Sequence, residues 1–453
     1  MKERIRIASG QGFWGDLPRA PIDQARRGPI DYLVMDYLAE VTMSILQKQR
    51  LKDPRAGYAR DFVEVVTELA PDIRERGFRV VSNAGGVNPV GCAEAIVEGA
   101  RARGATGLKV AVITGDDLLD RLGDLVSDGV PLAHMETGEL LSSVSDRVVS
   151  ANAYLGARPI VEALAQGADV IVSGRTTDTG LTLAPMVHEF GWSWDDWDRL
   201  ASGTVAGHIL ECGAQASGGN FTDWQDVPDL ANVGFPIAEA YPDGTFVVTK
   251  HEGSGGLVSV ATVSEQLVYE IGDPAEYITP DCVADFTTIR LESAGPDRVR
   301  VHRIGGRPAT AFLKVSAAYA DGWKATATLV YGWPDPAARA RAAAGILEKR
   351  LDMLGHRFDE YRSELVGLDA LTEGALNTPA PELDEVTLRV SVRGEDRAAV
   401  EAFGREIAPL ILTGPSAVTG FAGGRPRPSE VIAYWPALIP KERVRAEIRL
   451  MVV

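Results

Sequence analysis

Ionisable side chains directly follow several apolar segments of this chain. Asp36 ends the segment YLVMD, and Glu40 follows four residues later, a spacing that can turn both carboxylates towards one cleft. Such a pair can act as general acid and base, with one pKa raised by its neighbour, or can bind Mg²⁺. Alternatively, Asp36 caps the next helix and Glu40 faces solvent. We take Asp36 as a candidate catalytic residue.

A second polar segment, SGRTTD, follows the apolar run DVIV. Arg175 within it presents the planar fork that binds a carboxylate or phosphate with two hydrogen bonds. Asp178 suits the cap of the following helix, although it is also placed to contact a ligand. Arg175 and Asp178 are therefore candidate substrate-binding residues.

His208, Glu211 and Cys212 form a third cluster. A helix is predicted over 195–212, on which residues three and four positions apart share a face. The cluster fits a thiol nucleophile with its base, a partial metal site, or general acid–base chemistry. It also fits a helix end with a buried cysteine that packs as a small apolar residue. We keep all three as catalytic candidates.

The segment KHEGSGG follows the predicted strand TFVVTK and precedes a predicted helix. Lys250 supplies a cation, His251 an imidazole, and Ser254, Gly255 and Gly256 a run of backbone N–H groups. A helix N-terminus binds anions through its unpaired donors and its dipole. We predict substrate binding by Lys250, Ser254, Gly255 and Gly256, and catalysis by His251.

The segment GQGFWG matches the glycine fingerprint of dinucleotide-binding sites. Pro18 and Pro21 follow closely where the helix should open, and Phe-Trp is bulky where a pyrophosphate would lie. Gly10 and Gly12 are therefore candidates for binding some other phosphate or carboxylate, or they form a structural turn. No cofactor is predicted, except CoA as a possible part of the substrate, and no metal is predicted.

Two further strand-end loops supply the remaining substrate-binding candidates. SNAGGVNP contains Asn83, Gly85 and Asn88, and TGDD contains Asp116. A glycine-rich segment with an arginine, near residue 420, is either a lid or a connecting loop.

Five apolar segments separated by helix-like stretches position these loops. Buried parallel strands have this continuous apolar character, and their carboxyl ends meet at one edge of a sheet, where ligands bind. The segments are 5–8, 32–36, 78–81, 108–113 and 169–172. The fold class is therefore α/β, with an open, mostly parallel, doubly wound Rossmann-like sheet and one site at its edge.

The second half of the chain differs in pattern. Residues 285–332 are rich in β-type segments separated by DG or GG turns, which suits antiparallel hairpins. We predict a Rossmann-like domain over 1–190 and a second α/β to α+β domain with antiparallel strands over 191–453.

Composition excludes several classes of protein. The 453 residues carry a net charge of −17, which argues against a nucleic-acid partner because phosphate binding needs a basic surface. No apolar run approaches the length of a membrane span, and the start lacks a secretory signal. Three dispersed cysteines do not form a disulfide framework. These features favour a cytoplasmic protein.

Long ordered segments resemble the acyclic terpene utilisation (AtuA) family. The resemblance rests on IDYLVMDYLAEVTMSIL, SNAGGVNP, ANAYLGARPIVEALAQGADVIVSGRTTD, the tryptophan-rich stretch 187–221, the stretch 226–286 and TGFAGGRPRP. It implies a bacterial catabolic protein associated with enzymes that degrade branched acyclic acids as CoA thioesters. Longer members resemble this chain and continue into a ferredoxin-like domain. We therefore expect a form without that domain, with a separate small subunit of about 100 residues as a possible partner.

The sequence favours an enzyme of carboxylate or acyl-CoA metabolism, with a lyase or hydratase first. Arg175, Lys250 and the amides of 254–256 would clamp the anion, and Asp36, His208, Glu211 or His251 would move protons. The alternatives are a Cys212-dependent acyl transferase or thioesterase and a non-catalytic subunit of an acyl-CoA-degrading complex. A homo-oligomer is expected, without membrane partners.

Overall fold

The structure is a computed structural model that describes residues 2–372, 383–420 and 424–453. It is an α/β fold with one large mixed sheet and additional antiparallel sheets. The strands in chain order are β1 (Ile5–Gln11), β2 (Tyr32–Met35), β3 (Arg79–Ser82), β4 (Lys109–Thr114), β5 (Val148–Ala153), β6 (Val170–Ser173), β7 (Ile237–Ala240), β8 (Phe246–Thr249), β9 (Tyr277–Ile278), β10 (Val283–Asp285), β11 (Arg290–Ser293), β12 (Val299–His302), β13 (Gly305–Arg307), β14 (Phe312–Gly332), β15 (Glu360–Val366), β16 (Glu385–Gly394), β17 (Val418–Thr419), β18 (Ser429–Pro440) and β19 (Glu447–Val452). The α-helices are α1 (Ala20–Arg27), α2 (Glu40–Lys52), α3 (Arg60–Arg76), α4 (Pro89–Ala102), α5 (Leu122–Ser127), α6 (Arg158–Ala165), α7 (Gly180–Phe190), α8 (Trp197–Glu211), α9 (Val260–Val268), α10 (Pro336–Met353), α11 (Arg397–Ile407) and α12 (Leu410–Thr413).

All five predicted parallel strands form and lie side by side. They follow the order β1-β2-β3-β6-β4, and each neighbouring pair is parallel. Their residues are almost all buried because helices cover both faces. The carboxyl ends of these strands therefore meet at one edge, as the sequence predicted.

The large sheet as a whole is mixed. Strands β7, β8, β12 and β11 extend it antiparallel beyond β1, and β19 pairs antiparallel with β4. A tight turn, in which the Tyr241 N–H donates to the Thr245 carbonyl at 3.0 Å, joins β7 to β8. Such a short connection can join only antiparallel strands. The expected mostly parallel character holds for the five central strands, and the Rossmann-like strand order is not confirmed.

Alternate strand residues face two separate cores. Ile7 of β1 and Val34 of β2 pack with residues of α6, α7 and α8. Leu33 of β2 and Val80 of β3 pack on the other face, with residues of α1, α3 and α4. This alternation follows from the two-residue period of a strand.

Helix α8 brings the predicted residues 208–212 to the edge of the sheet. It begins after Asp196, whose carboxylate accepts the Arg199 N–H at 3.4 Å, and it is buried from Leu200 to Leu210. A short 3₁₀ turn, Gly213–Ser217, follows its end. The end of α8 lies against the loop after β1, where a Cβ on Gly12 would come within 2.8 Å of Cys212 C.

The chain divides into two compact units, Met1–Ala318 with Tyr434–Val453, and Tyr319–Ala433. The boundary predicted near residue 190 falls inside the first unit. In the second unit, β15, β16, the C-terminal part of β14 and β17 form an antiparallel sheet. Helices α10 and α11 pack on it through residues such as Leu347 and Phe403.

Candidate functional site

A cavity of about 560 Å³ lies at the carboxyl edge of the central strands. The loop after β1 contributes Gly12, the loop after β2 contributes Asp36 and Glu40, and the loop after β6 contributes Arg175 and Asp178. The end of α8 closes the cavity with its last residues. Segments far apart in sequence thus meet as the strand-end pattern predicted.

Asp36 is a buried carboxyl group at the end of β2. Its Oδ1 accepts the Asn83 amide at 2.7 Å and the Leu38 N–H at 3.1 Å. Burial raises the pKa of Asp36 well above its ordinary value, and the negative charge of Asp178 raises it further, against the opposing effect of Arg175. Asp36 therefore favours its protonated form and can serve as a proton donor.

Glu211 and His208 form a buried pair at the end of α8. Glu211 Oε1 lies 3.0 Å from His208 Nδ1, and His208 Nε2 lies 3.0 Å from the Gln266 carbonyl oxygen. Since a carbonyl only accepts, Nε2 carries a proton, and one further proton is shared between Nδ1 and the carboxyl group. The second carboxyl oxygen, Glu211 Oε2, is buried without a hydrogen-bond partner among the described residues.

The protonation of this pair is set by its surroundings. Burial raises the pKa of Glu211, and Asp178 and Glu270 add to the effect, although His208 opposes it. Burial alone would lower the pKa of His208, but the neighbouring Glu211 raises it. Both shifts favour retention of the shared proton, so the pair can take up or release a proton at the cavity wall.

Arg175 is almost completely buried, and its charge is already matched. Its Nη1 lies 3.0 Å from Asp178 Oδ1 and donates to the Leu38 carbonyl. The guanidinium stacks on the Tyr154 ring at 4.1 Å from the centroid. The structure therefore places Arg175 at the cavity, as predicted, but mainly as part of its wall.

Asp116 supports Arg175 from behind the cavity. Its Oδ2 accepts the Arg175 backbone N–H at 2.7 Å and the Asn152 amide at 2.9 Å. Burial raises the pKa of Asp116 to about 6. A Cβ on Gly174 would lie 2.3 Å from its carboxylate, so this approach requires glycine.

Glu40 carries the opposite electrostatic character to Asp36. It accepts a hydrogen bond from the Tyr154 hydroxyl at 2.6 Å, and Lys314 Nζ lies 3.3 Å away. Burial would raise its pKa, but Tyr154, Arg175 and Lys314 lower the pKa of Glu40 to about 2. The two carboxyl groups spaced four residues apart thus favour different protonation states, although the main charge acting on Asp36 is Asp178.

The glycines of the loop after β1 allow close packing against neighbouring segments. The Gly12 N–H donates to Asp16 Oδ2 at 3.0 Å, so this amide is already bonded. A Cβ on Gly12 would lie 2.6 Å from Gly213 N, and one on Gly10 would lie 2.9 Å from Leu33 Cδ1. The helix that follows begins only at Ala20. These features favour the structural turn over a phosphate-binding loop, although Gly12 does line the cavity.

The segment 250–256 does not line the cavity. Lys250 Nζ lies 3.1 Å from Asp297 Oδ2 and donates to the Ser254 carbonyl at 3.0 Å. The N–H groups of Gly255 and Gly256 donate to the carbonyls of Asn232 and Pro228.

His251 of this segment also has a hydrogen-bond partner within the chain. Its Nε2 lies 2.9 Å from the Gln24 carbonyl, and burial lowers its pKa. The donors predicted to bind an anion are thus used within the chain.

The loop after β3 supports the site without entering it. Asn83 is fully buried; it donates to Asp36 and accepts the Tyr37 N–H at 2.9 Å. The Gly85 N–H donates to the Ser173 carbonyl at 3.1 Å. Asn88 caps α4 by accepting the Gly91 N–H at 3.1 Å, away from the cavity.

Cys212 lines the cavity, but its surroundings oppose a thiolate. Burial raises the pKa of the Cys212 thiol, and the charges of Glu211 and Glu270 raise it further. A nucleophilic cysteine needs the opposite shift. This geometry disfavours the acyl-transferase and thioesterase alternative.

Some residues of the site were not predicted from the sequence. Tyr154 contacts the cavity residues Glu40 and Arg175. It follows β5, a strand outside the large sheet that pairs with β14, so the strand-end pattern did not indicate it. Asp16, Asn220 and Glu270 come from segments outside the helices and strands, and Gln215 comes from the 3₁₀ turn after α8.

The described part of the chain contains no group of three His, Cys, Asp or Glu side chains arranged to hold a metal ion. Residues 421–423 of the predicted lid or connecting loop lie outside the described residues.

Fold and site together define an α/β protein with an acidic cavity at the carboxyl edge of its parallel strands. The sequence matches the acyclic terpene utilisation family protein AtuA over residues 5–450, and the chain belongs to this family. The resemblance found in the sequence is thereby confirmed. A search of curated proteins finds no match. Within the described residues, no helix is both long and apolar enough to cross a membrane.

Proposed function

We propose that this protein is a hydratase or lyase that adds water to, or removes it from, a carbon–carbon double bond of a branched acyclic substrate. Membership of its family assigns it a role in acyclic terpene utilisation. The observation that carries the proposal is the meeting of two buried carboxyl groups with raised pKa values, Asp36 and Glu211, at one cavity.

The two groups suit complementary tasks. In hydration, the shared proton stays on His208, and the Glu211 carboxylate accepts a proton from water through its unpartnered Oε2. The water oxygen bonds to one alkene carbon, and Asp36 donates its proton to the other carbon. Exchange with solvent then restores both groups. Dehydration is the reverse, with Asp36 as base and Glu211 as acid.

The cavity charge restricts which part of the substrate enters. Arg175 is the cation in the described lining, and Asp178 already neutralises it. Lys250, the other predicted anion clamp, does not line the cavity. We therefore propose that the uncharged alkene or alcohol part of the chain occupies the cavity, while a carboxylate or CoA thioester lies outside it.

The test is incorporation of labelled oxygen. The protein is incubated in H₂¹⁸O with branched acyclic alkenoic acids, their CoA thioesters and the matching hydroxy compounds, and products are followed by mass spectrometry. We expect one ¹⁸O atom in each hydrated product. Asp36→Asn and Glu211→Gln should each lower kcat by about 10²- to 10⁴-fold, the usual range for loss of a general acid or base.

Glu75→Gln is the matched control because it makes the same chemical change in an exposed carboxylate outside the cavity. It should retain activity within a factor of about three, since exposed charges have weak effects. Turnover that survives in both Asp36→Asn and Glu211→Gln would contradict the proposal. Turnover lost in Cys212→Ala alone would instead favour the thiol-dependent alternative.

A further inference from the structure

A cleft in the unit Tyr319–Ala433 is lined by four arginines. Arg397, Arg405, Arg425 and Arg427 surround a cavity of about 870 Å³, and Glu401 is the acidic residue in its described lining. The chain as a whole carries 63 acidic and 46 basic residues. A concentration of positive charge on such an acidic protein calls for a specific explanation.

Helix register and one glycine build this cleft. Arg397, Glu401 and Arg405 are spaced by four residues on α11, so they lie along one face of the helix. The segment 424–428 crosses this helix where Gly404 leaves room for it. A Cβ at Gly404 would lie 2.4 Å from the Pro426 carbonyl oxygen. The crossing therefore places Arg425 and Arg427 beside the arginines of α11.

Among the residues that the structure describes, most of these charges have no counter-ion. Arg405 donates to Glu401 at 3.0 Å, and the Arg397 guanidinium lies 5.1 Å from the Trp323 ring centroid. Arg425 and Arg427 make no hydrogen bond or ion pair among the described residues. Like charges held together repel one another, and a bound anion would relieve that repulsion.

We propose that this cleft binds a small molecule with two linked phosphate groups. Arginine presents paired N–H donors that match phosphate oxygens, and several forks around one cavity favour adjacent phosphates over a single one. The site is concave and confined to one helix face and one short segment. An extended polyanion such as DNA would also meet the repulsion of a chain with a net charge of −17.

The test is titration calorimetry of the full chain with inorganic pyrophosphate in a metal-free buffer. Inorganic phosphate and ADP are titrated in parallel. We expect pyrophosphate to bind at least tenfold more tightly than phosphate. The double variant Arg425→Ala, Arg427→Ala should weaken pyrophosphate binding at least tenfold, since it removes charge-assisted hydrogen bonds to the phosphate oxygens. ADP binding of equal or greater strength would identify a nucleotide as the source of the diphosphate.

Arg341→Ala is the matched control. Arg341 is an exposed arginine of α10 in the same unit, paired with Asp369 at 3.3 Å, and its loss should change pyrophosphate affinity less than twofold. Equal weakening in the control and the double variant would overturn the proposal, as would the absence of pyrophosphate binding to the unsubstituted chain. Tighter binding of a double-stranded oligonucleotide than of pyrophosphate would also overturn it. These readouts need no turnover, so they stand apart from the test of the proposed function.

Discussion

The protonation state of the His208–Glu211 pair depends on a few individual contacts. Because His208 Nε2 donates to the Gln266 carbonyl, its Nδ1 is free to exchange the proton with Glu211. The histidine also lowers the pKa of Glu211 against the effect of burial. His208 is therefore a positioning residue that tunes the carboxyl group without lining the cavity itself.

Replacing this histidine should displace the pH profile. In His208→Asn the carboxyl group loses its cationic partner, so the pKa of Glu211 rises further and the limb of kcat/KM that requires ionised Glu211 moves to higher pH. The measurement is the pH dependence of kcat/KM for hydration. Glu211→Gln, in which this limb should vanish, is the control. A fall in activity at every pH without displacement would contradict the tuning role.

Asp281 gives a second residue-scale prediction, on stability. Burial raises its pKa from 3.8 to about 6, although its oxygens accept the Ala157 N–H at 2.9 and 3.0 Å. The folded state then binds more protons than the unfolded state between these pH values. The contribution of Asp281 to the free energy of unfolding is complete below about pH 4 and is lost as pH rises through about 6, by about 3 kcal/mol in total.

Asp281→Asn should therefore flatten the pH dependence of urea unfolding between pH 4 and 6, because the amide oxygen still accepts the Ala157 N–H but does not titrate. A residual slope from Asp116, whose pKa is also raised to about 6, should remain. An unchanged slope in the variant would contradict the assignment.

At the residue scale, the sequence predicted the site in part. Asp36, Arg175, Asp178 and Glu211 do meet at one cavity, because apolar strand runs locate the loops that follow them. The anion-binding role predicted for the segment 250–256 was not found at the cavity. Its donors are hydrogen-bonded to carbonyls distant in sequence, such as that of Asn232. Local spacing carries no information on such partners.

At the scale of elements, close approach between loops fixes the shape of the cavity. Gly12 of the loop after β1 lies against the backbone at the end of α8, where a Cβ would come within 2.8 Å of Cys212 C. Backbone cannot move aside as a flexible side chain does. Gly12→Ala should therefore lower the free energy of unfolding by about 1–3 kcal/mol, as overpacking does.

Urea unfolding of Gly12→Ala measures this cost, and Gly345→Ala is the control. Gly345 lies exposed within α10, and an added Cβ would meet nothing within 4 Å. Alanine there should stabilise the chain by about 0.5–1 kcal/mol because it favours helix. Equal effects of the two substitutions would show that the loop after β1 has room to relax.

Elements were predicted well where burial is two-sided and less well elsewhere. The five parallel strands formed because nearly every residue in them faces a core. Helix α1 was not predicted: Pro18 and Pro21 suggested a break, yet Pro21 is accommodated in the first turn of a helix that begins at Ala20. The segment after β4 is less regular, since α5 begins only at Leu122 after a 3₁₀ turn.

At the scale of the whole molecule, the second unit has its own hydrophobic core. Buried residues of β14, β16, α10 and α11 form one cluster, and residues 323–332 of β14 pair with β16 along their whole length. The unit is continuous in sequence from Tyr319 to Ala433, and its length falls within the usual range of domains. These are the conditions under which a segment folds independently.

A polypeptide of residues 319–433 should therefore unfold cooperatively in urea. The buried apolar side chains of its core all belong to this segment. The segment also keeps every residue pair between β14 and β16. Circular dichroism and the fluorescence of Trp323, which packs against the core, should show one coincident transition. In the same segment, Phe403→Ala should lower the free energy of unfolding by about 3–5 kcal/mol, because this fully buried ring fills the space under α11. A broad transition that Phe403→Ala does not displace would mean that the second unit needs the rest of the chain in order to fold.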